Sequence, residues 1–261
     1  MLTWDGLIEQ AKILNLPLNK QRAIVREYAQ TIILKGIYQA DLGKKLFFIG
    51  GTALRFAYGL KRFSEDLDFD ANKNLTFMDF KQILKVCNTT LEKEGIENST
   101  TCKEKGSLLI GQIKLTNILQ NYNITKLKDE KLMIKFELNR PKWNLTAESA
   151  VINRYGYLFT AMLANKSVMF SEKIIAFLNR KRGRDIYDII FMLQNKFPID
   201  NHILKANGYE LSTKELILNR IKSLKNNDLH YLTKQVEPFL LQEEEKDFII
   251  NSANYIKALL A

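Results

Sequence analysis

Apolar and polar positions along the chain follow two periods, and the switches between them mark out its elements. Residues 5–16 and 19–38 read as two helices separated by Pro17, with Ile24, Val25, Tyr28, Ile32 and Ile33 at helical spacing. Leu46–Ile49 is a short apolar run of strand length, broken by Gly50-Gly51. Ala53–Tyr58 then holds good helix formers, with Thr52 in the capping position and Gly59 at the end. Over 65–70, Leu67 and Phe69 alternate with acids, the pattern of a half-buried strand. Thr76 opens an amphipathic helix whose stripe runs Phe80, Ile83, Leu84, Cys87 and Leu91 and stops at Gly95.

Residues 96–103, 108–117 and 131–138 read as successive strands. In the last, Leu132, Ile134, Phe136 and Leu138 share one face, and Met133, Lys135 and Glu137 the other. Residues 142–169 show no clear period, and a domain boundary is placed near residue 155. There Trp143, Arg154, Tyr155, Tyr157 and Phe159 read equally as an RNA-facing surface or as packing residues. From Ser171 the pattern turns helical. Residues 171–180 form a helix capped by Ser171 and interrupted at Gly183, and 184–193 form the next. Further helices are predicted over 199–207, 212–226, 228–239 and 242–260.

The chemistry concentrates between Phe47 and Asp70. Asp66 and Asp68 are two residues apart, so in a strand they face one side, with Cα atoms roughly 6.6 Å apart. At ~4 Å two such charges repel by on the order of 4 kcal/mol at an effective dielectric near 20, and a shared divalent cation relieves this. Mg²⁺ is usually held by one or two carboxylates together with substrate phosphates. Gly50-Gly51 at a helix N-terminus offers backbone N–H groups and a positive dipole end to phosphate, and Arg62 and Ser64 add a charge and a hydroxyl. These pieces describe a nucleoside triphosphate–metal site. The bland alternative is a solvated acidic edge strand beside a plain turn.

Gly50-Gly51-Thr52-Ala53-Leu54 followed by Arg62-Phe63-Ser64-Glu65-Asp66-Leu67-Asp68-Phe69 resembles the AbiEii/AbiGii toxins, within the DNA polymerase β-like nucleotidyltransferases. The later stretches Ser171–Arg180 and Arg184–Asp188 look like that family's E-K-x-x-A and R-D-x-Y-D motifs, and Lys135-Phe136-Glu137 like its K-[IF]-E. The resemblance implies an α+β fold: a small mixed sheet flanked by helices, followed by a helical C-terminal domain. Domains of 1–155 and 156–261 are expected, with the active site in the cleft between them. It also implies site roles. Asp66, Asp68 and Glu137 would hold Mg²⁺ or Mn²⁺. Gly50, Gly51, Thr52, Arg62, Ser64 and Lys173 would bind the nucleotide, and Asp185 would orient Lys173 or a substrate hydroxyl. The implied activity is transfer of NMP from an NTP to an acceptor hydroxyl by the toxin of a bacterial toxin–antitoxin, phage-defence type system. Characterised members extend tRNA 3′ ends and block growth, which makes tRNA or another RNA the expected acceptor and a separately encoded antitoxin the expected partner. A protein or small-molecule acceptor, or a catalytically silent RNA- or antitoxin-binding module, are the competing readings.

Composition narrows the setting. The chain has 261 residues and a formal net charge of +10, a balance that favours an acidic partner such as nucleic acid. Hydrophobic residues make up 46% and charged residues 26%, ordinary for a globular protein. No apolar run reaches the ~18 residues of a membrane span, and the early acids leave no signal-peptide core, so a cytoplasmic location without membrane contact is expected. Cys87 and Cys102 are the only cysteines, and neither they nor His202 and His230 have zinc-ligand spacing.

Overall fold

The computed structural model describes residues 1–127 and 129–261. They form two compact units: Met1–Gly59 with Phe63–Ala164, and Leu60–Arg62 with Asn165–Ala261. The first unit contains, in order, α1 (Trp4–Ile13), α2 (Gln21–Gln39), β1 (Leu46–Ile49), α3 (Gly50–Tyr58), β2 (Leu67–Ala71), α4 (Phe77–Lys93), β3 (Asn98–Lys105), β4 (Leu108–Leu115), α5 (Ile118–Asn121), β5 (Leu132–Asn139), β6 (Ala147–Arg154) and β7 (Tyr157–Ala164). The second is helical: α6 (Lys166–Asn179), α7 (Gly183–Gln194), α8 (Asn201–Ala206), α9 (Thr213–Lys222), α10 (Asn226–Val236), α11 (Asp247–Ile250) and α12 (Ser252–Leu259).

The expected mixed sheet is present. It has seven strands in the order β3-β4-β5-β2-β1-β7-β6. β2 runs parallel to β5 and β1 parallel to β7, and the other neighbours are antiparallel. Its register is set by a row of buried rings. Phe69 on β2 stacks on Phe48 of β1 at 5.2 Å and on Phe136 of β5 at 4.7 Å, and Phe80 of α4 meets Phe136 edge-on at 5.5 Å. Each ring buries roughly 150–250 Å², worth several kcal/mol at about 25 cal/mol per Å². A slip of one residue would turn these rings outward and drive Asp68 and Glu137 into the core.

The unreadable stretch holds the last two strands. β6 and β7 form a hairpin through Tyr155-Gly156, both left-handed at φ 52° and 79°, which suits a two-residue turn closed by the Arg154–Tyr157 pair. The boundary therefore falls after Ala164 rather than near residue 155, because Tyr157–Ala164 belongs to the sheet. The hairpin also secures α3. Glu27 of α2 accepts from Arg55 Nε on α3 at 3.0 Å and from Arg154 Nη1 at 2.8 Å, while Arg154 Nη2 donates to the Arg55 carbonyl at 2.9 Å. All three side chains are buried, so removing one partner would strand a charge in the interior.

Two capping expectations are corrected. α3 already begins at Gly50, so Thr52 sits inside its first turn. The helix containing Ser171 starts at Lys166 and is capped by Asn165, whose side chain accepts from the Val168 N–H; Ser171 lies buried within it. Gly183 begins α7 rather than interrupting a helix. A Cβ there would lie 2.1 Å from the Leu232 carbonyl oxygen, so only glycine allows α7 to approach α10 this closely.

Candidate active site

The acidic site is built where β1 hands over to α3. Gly50 adopts φ +76°, a left-handed conformation that turns the chain directly from strand into helix. A Cβ on Gly50 would lie 2.4 Å from Asp68 Oδ2. The N-terminus of α3, the positive end of its dipole, therefore lies against the Asp68 carboxylate. Asp68 pairs with Ile49 across the antiparallel ladder and with Glu137 across the parallel one. Partners in a parallel ladder send their side chains to the same face, about 4.8 Å apart, so Asp68 and Glu137 stand side by side opposite the aromatic row.

Asp66 lies two residues upstream. β2 begins at Leu67, so Glu65 and Asp66 precede the ladder instead of opening the strand. Thr52 Oγ1 donates to the Asp66 carbonyl at 2.5 Å. Thr52, expected at the nucleotide, is buried, and its hydroxyl ties α3 to the acidic segment. Ser64 is half-buried, and its carbonyl accepts from Gln30 Nε2 at 3.2 Å. Glu137 faces Lys135, whose Nζ is 2.6 Å from Glu137 Oε1. That ammonium offsets a repulsion between Asp68 and Glu137 of roughly 3 kcal/mol at ~5 Å and an effective dielectric near 20.

The donor set is all carboxylate oxygen, which suits a hard cation such as Mg²⁺ or Mn²⁺ rather than zinc. Register puts Asp68 and Glu137 side by side, and Asp66 lies two residues from Asp68 in sequence. Among the described residues, no group of three or more His, Cys, Asp or Glu side chains is gathered in metal-holding geometry. Glu137 is turned toward Lys135.

The second unit carries a separate charge cluster. Lys173 Nζ on α6 lies 2.8 Å from Asp188 and 3.2 Å from Asp185, both on α7. Arg180 Nε and Nη2 donate to Asp185 at 2.7 and 2.9 Å. Arg62 Nε and Nη2 donate to Asp188 at 2.8 and 2.7 Å. The i, i+3 spacing of Asp185 and Asp188 brings both carboxylates to one helix face, which is why one ammonium reaches both. Burial acts to raise the Asp185 carboxyl, but Lys173 and Arg180 outweigh it and hold the group at about 2. Burial likewise acts on Asp188, and Arg62 and Lys173 bring it below the usual carboxylate range. For Lys173 burial acts to lower the ammonium, and the Asp188 and Asp185 charges more than reverse this.

Three cations and two anions leave the cluster with a net charge of +1. An ammonium has three N–H donors. Two of those on Lys173 face Asp188 and Asp185, and the third has no protein acceptor among the described residues. Arg62, expected at the nucleotide, is buried with its guanidinium committed to Asp188. This pairing spans 126 positions and leaves no local trace in the sequence.

The sequence model of the family described as "Nucleotidyl transferase AbiEii toxin, Type IV TA system" matches residues 32–251. The chain belongs to this family. It is a nucleotidyltransferase of the toxin type, and the matched span covers the Gly50–Asp68 segment, Glu137 and the Lys173–Asp188 cluster. Among solved structures, the AbiEii-family chain is similar to MenT4, a nucleotidyltransferase toxin from Mycobacterium tuberculosis, at TM-score 0.56 and 17% identity over 98% of this chain and 90% of that one. It is also similar to JHP933 from Helicobacter pylori, at TM-score 0.53 and 19% identity over 91% of each. A putative nucleotidyltransferase from H. pylori matches at TM-score 0.52 and 20% identity over 91% and 96%. At these identities the likeness concerns the fold. No curated protein matches the chain. No helix among the described residues is long and apolar enough to cross a membrane.

Proposed function

We propose that this toxin-family nucleotidyltransferase transfers NMP from an NTP to a hydroxyl of RNA, with the 3′ end of tRNA as the first acceptor to test. The observation that carries the reading is the placement of Asp68 beside Glu137, against the N-terminus of α3 at a glycine whose Cβ would crowd the Asp68 carboxylate. Asp66, Asp68 and Glu137 would hold Mg²⁺ or Mn²⁺. When bound, the ion would neutralise charge on the triphosphate and at the reacting phosphorus.

The chain's own groups would do the rest. In the first unit, N–H groups at Gly50 and Gly51 and the Ser64 hydroxyl would grip phosphate oxygens; in the second, the Lys173 ammonium would bind triphosphate. Glu137 would accept the proton of the attacking hydroxyl. The hydroxyl oxygen bonds to the α-phosphorus, the bond from that phosphorus to the bridging oxygen breaks, and pyrophosphate leaves. Asp185 would keep Lys173 charged and in place. The net charge of +10 supports an acidic acceptor over a neutral one, and family membership supports a cognate antitoxin as partner.

The test is incubation with total tRNA and each NTP separately, followed by sequencing of the 3′ ends. Added nucleotides on tRNA support the reading. Labelling of protein or of a small molecule instead, with tRNA ends unchanged, rejects RNA as the acceptor.

A further inference from the structure

We propose that Asp188, clamped by Arg62, is a second positioning residue beside Asp185 and the one that aims the Lys173 ammonium. Lys173 has a long, flexible side chain that on its own samples many rotamers. Here its Nζ is fixed by two carboxylates, and the shorter contact, 2.8 Å, is to Asp188. Asp188 cannot turn away, because Arg62 binds both of its oxygens through Nε at 2.8 Å and Nη2 at 2.7 Å. A forked, two-point bond of this kind fixes the plane of the carboxylate as well as its distance. Asp188 is fully buried and Arg62 nearly so, so water does not compete for either.

Arg62 is itself held by its backbone. It forms an antiparallel bridge with Leu240, and the neighbouring Lys61 carbonyl accepts from the Leu241 N–H at 3.1 Å. The order of restraint therefore runs from the backbone at 60–62 to Arg62, then Asp188, then Lys173. Asp185 is held separately by Arg180, which is half-exposed at 44%, so the buried clamp on Asp188 is the more rigid support. Arg62 thus acts at one remove from the ligand. The inference rests on the proposed grip of Lys173 on triphosphate.

The experiment measures KM for NTP, kcat and melting temperature for four variants. Lys173→Met tests the underlying reading: an unchanged KM for NTP would reject the grip itself. Asp188→Asn keeps the shape but weakens the hold on Lys173, and should raise the KM for NTP about tenfold or more with the KM for the acceptor unchanged. The double variant Arg62→Asp with Asp188→Arg re-forms the pair with reversed charges. It should regain much of the melting temperature lost by Asp188→Asn yet keep the raised KM, because a guanidinium would now face Lys173. Arg62→Lys keeps the charge and loses the fork, so if the exchanged pair does not fold it supplies the outcome: a KM raised by about three- to tenfold. The proposal is overturned if Lys173→Met raises KM while Asp188→Asn does not, or if the exchanged pair restores both melting temperature and KM.

Discussion

Gly50 and Asp68 approach so closely that a single methyl group on Gly50 would overlap the carboxylate, at 2.4 Å from Oδ2. Gly50 also sits at φ +76°, where a side chain is strained whatever the space. Gly50→Ala should therefore cost about 1–3 kcal/mol of stability and, by displacing Asp68, most of the activity. Denaturant unfolding beside a turnover assay checks this. A variant with normal melting and normal rate would remove the close approach from the account.

The Asp185–Asp188–Lys173 cluster predicts how stability depends on pH. Asp185 stands at about 2 against an ordinary 3.8, and Asp188 is lowered in the same direction. A carboxyl depressed in the folded state gives stability that is complete above its unfolded value and lost as pH falls through the folded one. For Asp185 this amounts to on the order of 2 kcal/mol. Lys173 is raised, so its contribution is complete below an ordinary 10.5 and lost at more alkaline pH. Melting temperature should fall as pH drops from about 4 toward 2. Asp185→Asn should melt lower at pH 7 and respond less to acid; an identical acid slope would contradict the shift.

The local frame around the acids is legible in the sequence because it is short. The glycine turn, α3 and β2 lie within two dozen residues, and the period-two alternation of Leu67 and Phe69 places the acids on one face. The placement of Glu137 opposite the apolar face of its strand, and so beside Asp68, is legible for the same kind of reason. The Arg62–Asp188 bond is not a local pattern, so nearness in sequence to Ser64 suggested a phosphate ligand where the fold makes a buried ion pair. The β6–β7 hairpin was hidden for another reason. β6 is an edge strand, Val151 and Leu158 are exposed, and its turn uses Tyr155 where Asn or Asp is usual. The capping chemistry of Ser171 predicts a late start for α6, but Ser171 hydrogen-bonds to Asp200 instead.

Loss of charge at the paired acids should separate metal binding from folding. Asp66→Asn and Asp68→Asn should stay folded without ligand, with Asp68→Asn losing up to about 1 kcal/mol because its carboxylate lies against the N-terminus of α3. Mg²⁺ with NTP should raise the melting temperature of the wild type by mass action and leave both variants unmoved. A full shift in either variant would remove that residue from the metal set.

Glu137 has two available roles, and its ion pair with Lys135 makes them distinguishable. If Glu137 is a metal ligand and base, Glu137→Gln should lower the single-turnover rate by at least ~10²-fold while NTP binding persists. A surface pair would be worth at most ~1 kcal/mol, with a near-normal rate. Lys135→Gln serves as control: it breaks the pair and leaves the carboxylate, so its rate should stay far above that of Glu137→Gln.

The most direct test follows phosphorus. Total RNA is incubated with Mg²⁺ and NTP labelled at the α- or the γ-phosphate, using wild type and the double variant Asp66→Asn/Asp68→Asn. α-Label should enter RNA, γ-label should leave as pyrophosphate, and the double variant should do neither. Incorporation of γ-label into RNA, or undiminished α-label with the double variant, would contradict nucleotidyl transfer at these two acids.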